Sequence, residues 1–185
     1  MADPAETTID EYVPDEVEVA AYNVLAPLLP ELDIIYADQN HQSPSDTYAT
    51  LRVISRNEVG NVSLGPVDDN GVQTLHQVIE GTLSLMVFGG ASGRHLENVR
   101  LRTKKPTSRD IMTRERFIIF ATEQVINVGA VRSEIYMEPS STLDMRFRYT
   151  SRFTDSVGLI EHINVNGTVN DFPVSFDIDI INSGA

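Results

Sequence analysis

The chain has 185 residues, 41% hydrophobic and 22% charged, with a formal net charge of −13; this length and balance suit one folded domain with a sizeable core and exclude wholesale disorder. It contains no Cys, so disulfides and thiolate metal sites are excluded. No basic start followed by an apolar run marks a secretory signal, and no apolar run approaches the roughly 20 residues that span a bilayer, so a soluble protein without a membrane partner is expected.

Charge is unevenly placed. Residues 1–51 hold eleven acids and no Lys or Arg, whereas residues 91–152 hold twelve basic residues against seven acids. Such asymmetry marks surfaces that attract or repel partners.

In chain order, Met1 to Val13 is acidic and aperiodic, which predicts a flexible arm, and residues 14–185 read as a single domain. Pro14 and Asp15 open a helix, with Pro suited to the first turn and a carboxylate to the positive end of the dipole. Val17, Ala20, Ala21, Val24, Leu25 and Leu28 follow the spacing of one buried stripe, and Pro27 and Pro30 end it. Leu32 to Tyr36 reads as a short strand, Gln39 to Asp46 as a loop, and Tyr48 to Ile54 as a strand. From Arg56 to Gln73 the chain is polar and Gly-rich, a long loop or protruding hairpin with Asp69-Asn-Gly71 as its turn.

Thr74 to Phe88 reads as a strand interrupted near Glu80-Gly81. Leu83, Leu85 and Val87 share one face while Met86 and Phe88 are apolar on the other, so a central strand covered on both sides is expected. Gly89-Gly-Ala-Ser-Gly93 turns the chain into a helix capped by Ser92 and running to about Lys104, where Pro106 ends it; Ser108 to Thr113 adds a helical turn. Phe117 to Thr122 is a strand, and Thr122 to Arg132 reads as strand–turn–strand about Gly129. Leu143 to Phe153 alternates, with Met145, Phe147, Tyr149 and Phe153 on one face. Leu159 to Val165 leads into a hairpin turn at Asn166-Gly167, and Val174, Phe176, Ile178 and Ile180 alternate with polar residues. The order predicts an α+β fold: a mixed, largely antiparallel sheet flanked by helices.

Catalytic chemistry finds little support. His41, His76, His95 and His162 lack the spacing of a helical metal site, and Glu161 and His162 face opposite sides of a strand. The Gly89–Gly93 turn lacks the Lys and Ser/Thr of a phosphate loop, and no Gly-x-Ser-x-Gly element occurs. Asp177 and Asp179 share a strand face, the arrangement of a paired-acid or metal site, but a solvated acidic face or pairing with Arg146 and Arg148 on a neighbouring strand is the simpler reading. Asn61-Val-Ser63 and Asn166-Gly-Thr168 are chance glycosylation matches. No enzyme, metal or cofactor is expected. Arg94 to Arg116 carries eight basic residues against three acids and no aromatic, which argues against a nucleic-acid surface; a solvated helix face is the simpler reading, and a receptor for the acidic arm, Asp3 to Glu11, of a neighbouring copy is the alternative.

The order of Tyr48-Ala-Thr-Leu-Arg, Gly81-Thr-Leu-Ser-Leu-Met-Val-Phe-Gly89, Met137-Glu-Pro139 before Leu143-Asp-Met-Arg-Phe-Arg-Tyr149, and Val157-Gly-Leu-Ile-Glu-His-Ile-Asn-Val-Asn-Gly167 resembles the tail-terminator (neck terminator) proteins of tailed bacteriophages. In that family an Arg closely follows the Glu-containing element; here Ser140 and Ser141 follow it. The resemblance implies a virion protein, assembled in the host cytoplasm, whose copies form a ring, often hexameric, on the completed tail tube. The ring ends tube elongation, presents a face to the neck or head connector, and in contractile tails can meet the sheath; DNA passes through without specific binding. Expected subunit contacts are Arg56, Asp68 and Asp69 in the hairpin excursion and Arg94, Arg100, Arg102, Lys104 and Lys105 in the basic block, with Asp177 and Asp179 as lumen acids. The alternatives are another neck or head-completion protein, a tail tube subunit, or an acidic binding module.

Overall fold

A computed structural model describes residues 12–39, 44–133, 136–158, 162–169 and 172–179. Helix α1 (Glu16–Leu25) is started by Asp15, whose Oδ1 accepts the N–H groups of Val17 and Glu18 at 3.0 Å each, while Glu18 Oε2 accepts Asp15 N–H at 3.1 Å. This reciprocal cap satisfies donors that a helix start leaves orphaned. Pro14 thus precedes the cap instead of occupying the first turn. Pro27 lies in a 3-10 turn, Ala26–Leu28, that closes the helix.

The strands follow as β1 (Asp33–Tyr36), β2 (Tyr48–Val67) and β3 (Val72–Phe88). After α2 (Ser92–Arg102) and α3 (Pro106–Arg114) come β4 (Phe117–Thr122), β5 (Ile126–Ser133) and β6 (Tyr136–Ser156), then β7 (His162–Val169) and β8 (Phe172–Asp179). The main sheet runs β1-β2-β3-β6-β4, with β5 also on β6. β1 is parallel to β2; β4 and β5 are antiparallel to β6. The fold is α+β, as the element order predicts.

Contacts gather in two compact units, one holding residues up to Gly60 and Val78–Ser151, the other Asn61–Gln77 and the chain from Arg152. In the first, the core joins the α1 stripe, Leu96 and Val99 of α2 and Met112 of α3 to the odd-numbered face of the sheet: Ala49, Leu51, Leu83, Leu85, Val87, Phe117, Leu143, Met145, Phe147 and Tyr149. Phe117 and Phe147 stack at 4.6 Å. Gly81 sits where a Cβ would be 2.7 Å from Phe147 Cζ and 2.1 Å from the Ser55 carbonyl oxygen. It therefore admits the aromatic ring to the backbone, and β3 runs through Glu80-Gly81 as one strand.

The helices cover only one face of the sheet. On the other, among the described residues, Tyr48 is buried against Phe88 while Met86 and Phe88 are half-buried, so β3 is central with its second face only partly covered by them. Phe153 lies beyond the buried stretch and is exposed.

Several turn signals are overridden by pairing. Gly129 is opposite Pro139 in the β5–β6 ladder, and Gly167 is opposite Val174 within the β7–β8 ladder. β8 pairs with β7 in a separate two-stranded sheet, so Arg146 and Arg148 are not on its neighbouring strand; Arg148 Nε donates to Glu80 Oε1 at 2.9 Å. Ser92 is not the cap of α2: Ala91 holds that position with φ +59° and no side-chain hydrogen bond. Ser92 Oγ instead meets Ser141 Oγ at 2.9 Å, and Ser141 Oγ donates to Asn127 Oδ1 at 2.8 Å.

In the second unit, the Asp68 carboxylate accepts the N–H groups of Asn70 (2.9 Å) and Val72 (2.8 Å). Gly71 follows at φ +72°, with its carbonyl accepting Val157 N–H at 2.9 Å and Gly158 N–H at 3.1 Å. The positive φ and the close Gly158 backbone suit a residue without Cβ. The Arg56–Gln73 excursion is thus a hairpin, built from the far part of β2 and the start of β3.

Candidate assembly surfaces

The sequence-predicted contact residues fall into distinct settings. Arg56, on β2, donates through Nη1 to Asp15 Oδ2 and lies 3.8 Å from Glu18. Burial pushes the Asp15 carboxyl up, but the Arg56 hydrogen bond and the N–H groups of Glu18 and Val17 outweigh it and hold the group below its ordinary value. Arg56 therefore ties the start of α1 to the sheet. Nearby, Tyr12 packs its ring 5.7 Å from that of Tyr36. Burial and a hydrogen bond with Glu18 raise its phenol.

Arg102 is also engaged within the chain. Its Nη1 donates to the Leu28 carbonyl at 2.6 Å, and its guanidinium grips Glu31 at 3.2 and 3.3 Å; the Arg102 hydrogen bond holds Glu31 below its usual range. Arg100 pairs with Glu97 one turn away at 3.3 Å. Asp68 holds the hairpin turn, and Asp69 stands beside it at the exposed tip. Arg94, Lys104 and Lys105 are exposed. Asp177 and Asp179 lie opposite Asn164 and His162 in the β7–β8 ladder. The basic block thus divides into arginines that clamp the fold and a cluster facing solvent; the arm residues Asp3 to Glu11 lie outside the described structure.

Three surfaces emerge: the hairpin, which the sequence marked as a contact region through its charged residues but not its apolar ones, and two others that the sequence reading missed. The hairpin half of β2 carries Val59, Val62, Leu64 and Val67 exposed, with Leu64 at 63%. Apolar side chains grouped in water on a hairpin offer a surface on which a partner can pack. The spacing of Val59, Val62, Leu64 and Val67 does not keep the period of two, so the sequence carried no clean strand signal there.

The second is the margin of the sheet. β4 and β5 pair successive parts of β6, Tyr149 to Met145 and then Thr142 to Tyr136, so together they form one long border strand. Ile118 (38%), Phe120 (47%), Ile126 and Val128 are exposed along it, and the Arg146 guanidinium lies 5.2 Å from the Phe120 ring centroid. Unpaired borders of this kind template association. A cleft of about 420 Å³ runs beside β4, with Lys104, Arg109, Met112 and Thr113 opposite the strand.

The third is a groove of about 580 Å³ on the open sheet face, lined by Tyr36, Tyr48, Arg52, Ile54, Met86 and Phe88 among others. Tyr48 and Phe88 stack at 4.9 Å, 14° from parallel. Arg52 faces Asp38 at 3.1 Å at its side.

Among the described residues, no group of three His, Cys, Asp or Glu side chains could hold a metal, and no helix is long and apolar enough to cross a membrane. What the geometry offers is contact surface: a sheet with an apolar border, a hairpin with apolar side chains in solvent, and a cationic cleft. No curated protein matches the chain. A family model described as phage neck terminator protein matches residues 15–171 of the 185. The chain belongs to the phage neck terminator family, and it is a structural protein of the phage neck.

Proposed function

We propose that copies of this chain associate side by side into a closed ring that caps the completed tail tube, stops further tube addition and offers its other face to the neck or head connector. A hexamer is the expected ring. In this reading Arg94, Lys104 and Lys105 meet a neighbouring subunit, Asp69 contacts one at the hairpin tip, and Asp177 and Asp179 face the channel. The net charge of −13 suits a passage through which DNA slides, since negative walls repel phosphates. In a contractile tail the last sheath layer is a further partner.

The observation that carries the reading is the exposed apolar run Val59, Val62, Leu64 and Val67 on the hairpin extension. It leaves apolar area in water that subunit packing would remove, at about 25 cal/mol per Å². Native mass spectrometry and electron microscopy with tube protein added test it. Closed rings of defined size on tube ends, with tube growth halted, are expected. Strict monomers that leave growth unchecked would overturn the reading, and long stacks of the protein alone would make it a tube subunit.

A further inference from the structure

We propose that the acidic N-terminal arm of one copy, residues 3–11, docks as an extended strand along the free border of β4 in a second copy, in the cleft between β4 and α3. The inference rests on the side-by-side association just described and supplies one of its joints.

Four features of the cleft select this occupant. Its floor is a strand border: β4 pairs on one side with β6 and has no partner strand on the other among the described residues. An extended peptide can add main-chain hydrogen bonds there. Its opposite wall and rim are cationic, with Lys104 and Arg109 in the lining and Lys105 and Arg114 exposed on the same helical segment; Asp110 is the one acid on α3. Its lips are apolar, Ile118 and Phe120 on the strand with buried Met112 beneath. Its length also fits, because β4 has six residues, about 20 Å of strand.

The arm has the complementary sequence. Residues 1–11 carry Asp3, Glu6, Asp10 and Glu11 and no base, around the β-branched run Thr7-Thr8-Ile9. That run favours extended backbone, and alternate side chains point to opposite sides. Ile9 can meet the apolar lips while Asp10 faces the cations.

The choice of a second copy follows from where the arm begins. Tyr12 is fixed against Tyr36 of β1, and β1 and β4 are the two opposite ends of the strand order. One copy therefore carries the root of the peptide beside β1 and its receptor at the β4 end of the strand order, so an arm leading away from its own sheet meets the β4 of a neighbour. Such a head-to-tail contact is heterologous and closes into a ring when the rotation between copies allows it. Nine extended residues reach about 30 Å, enough to cross from one margin to an adjoining copy.

Because the chain has no Cys, engineered thiols are unique. Full-length Ile9→Cys protein and a size-tagged Thr122→Cys protein are co-expressed and oxidised, with Ser45→Cys replacing Thr122→Cys as control. The expected result is a disulfide between differently tagged chains, at least fivefold above the control, and reduced severalfold by Lys104→Glu with Arg109→Glu or by 0.5 M salt. A signal equal to the control overturns the proposal. So does an Ile9→Cys/Thr122→Cys double variant that links only within its own chain at every dilution. Native mass spectrometry of the same samples separates the two readings: rings without the link remove this inference and leave the ring, whereas linked pairs that never close remove the ring and leave this joint.

Discussion

Gly81 and Phe147 share one volume: a Cβ on residue 81 would lie 2.7 Å from the Phe147 ring and 2.1 Å from the Ser55 carbonyl. Gly81→Ala should therefore destabilise the protein by about 2–4 kcal/mol, at or above the usual cost of overpacking. Phe147→Ala in the same chain should not restore stability, since the Ser55 oxygen is main chain and the Phe117 stack is lost as well. Urea unfolding of the single and double variants checks both statements; a rescued double variant would show that the ring alone fills the space.

Asp15 links stability to pH. Its carboxyl is held below its ordinary value in the folded protein, so the ionised form is favoured by folding. That contribution is fully present above about pH 4, the unfolded value, and is lost as pH falls through the lower folded value. Asn caps helices about as well as Asp but cannot titrate. Asp15→Asn should cost under about 1 kcal/mol at pH 7, as for an exposed pair, with a flatter loss of stability below pH 4 than the parent. Urea midpoints from pH 7 down to pH 2.5 provide the comparison, and parallel curves would contradict it. Glu31, also lowered by its arginine, titrates equally in both proteins.

The buried Ser92–Ser141 contact should behave as a unit. Ser141→Ala removes partners from both Ser92 and Asn127 and should cost about 1–3 kcal/mol, the penalty of leaving a buried polar group unpaired. With Ser92→Ala added, the total should fall short of the sum of the single changes by about 0.5–1.5 kcal/mol. A double-mutant cycle by thermal unfolding measures that coupling; strict additivity would show that the hydroxyls act independently.

Leu64 separates assembly from folding. Its side chain is largely in solvent, so Leu64→Ser with Val62→Ser should change monomer stability by under about 0.5 kcal/mol. The same pair should abolish or sharply weaken ring formation by native mass spectrometry. Intact rings would move the subunit contact elsewhere.

Elements set by local chemistry were legible in the sequence. The α1 stripe, β1 and β4 announce themselves through periodicity and prolines. Elements decided by distant partners were not. Ser92 looks like a cap, yet its hydroxyl is used by Ser141, 49 residues away, and Ala91 accepts a left-handed backbone in its place. Gly129 and Asn166-Gly167 carry turn chemistry, but ladder pairing holds them inside strands. The basic block was legible as charge. Its division into clamps and solvent-facing cations was not, because Arg102 meets Glu31 and Leu28 only once the helices pack. The cleft beside β4 escaped for the same reason: a border exists only after the strand order is known.

β6 is a single strand of 21 residues that sets the serines at 140 and 141 beside β5 and the buried Leu143, Met145, Phe147 and Tyr149 beside β3 and β4. Odd and even positions along it are therefore committed to opposite sides at once. A one-residue insertion near Thr142 would swap inner for outer side chains over half its length. Where β6 is paired without a bulge, length changes should therefore be tolerated in steps of two, and single insertions only where a bulge of the kind already present opposite β4 and β5 absorbs them.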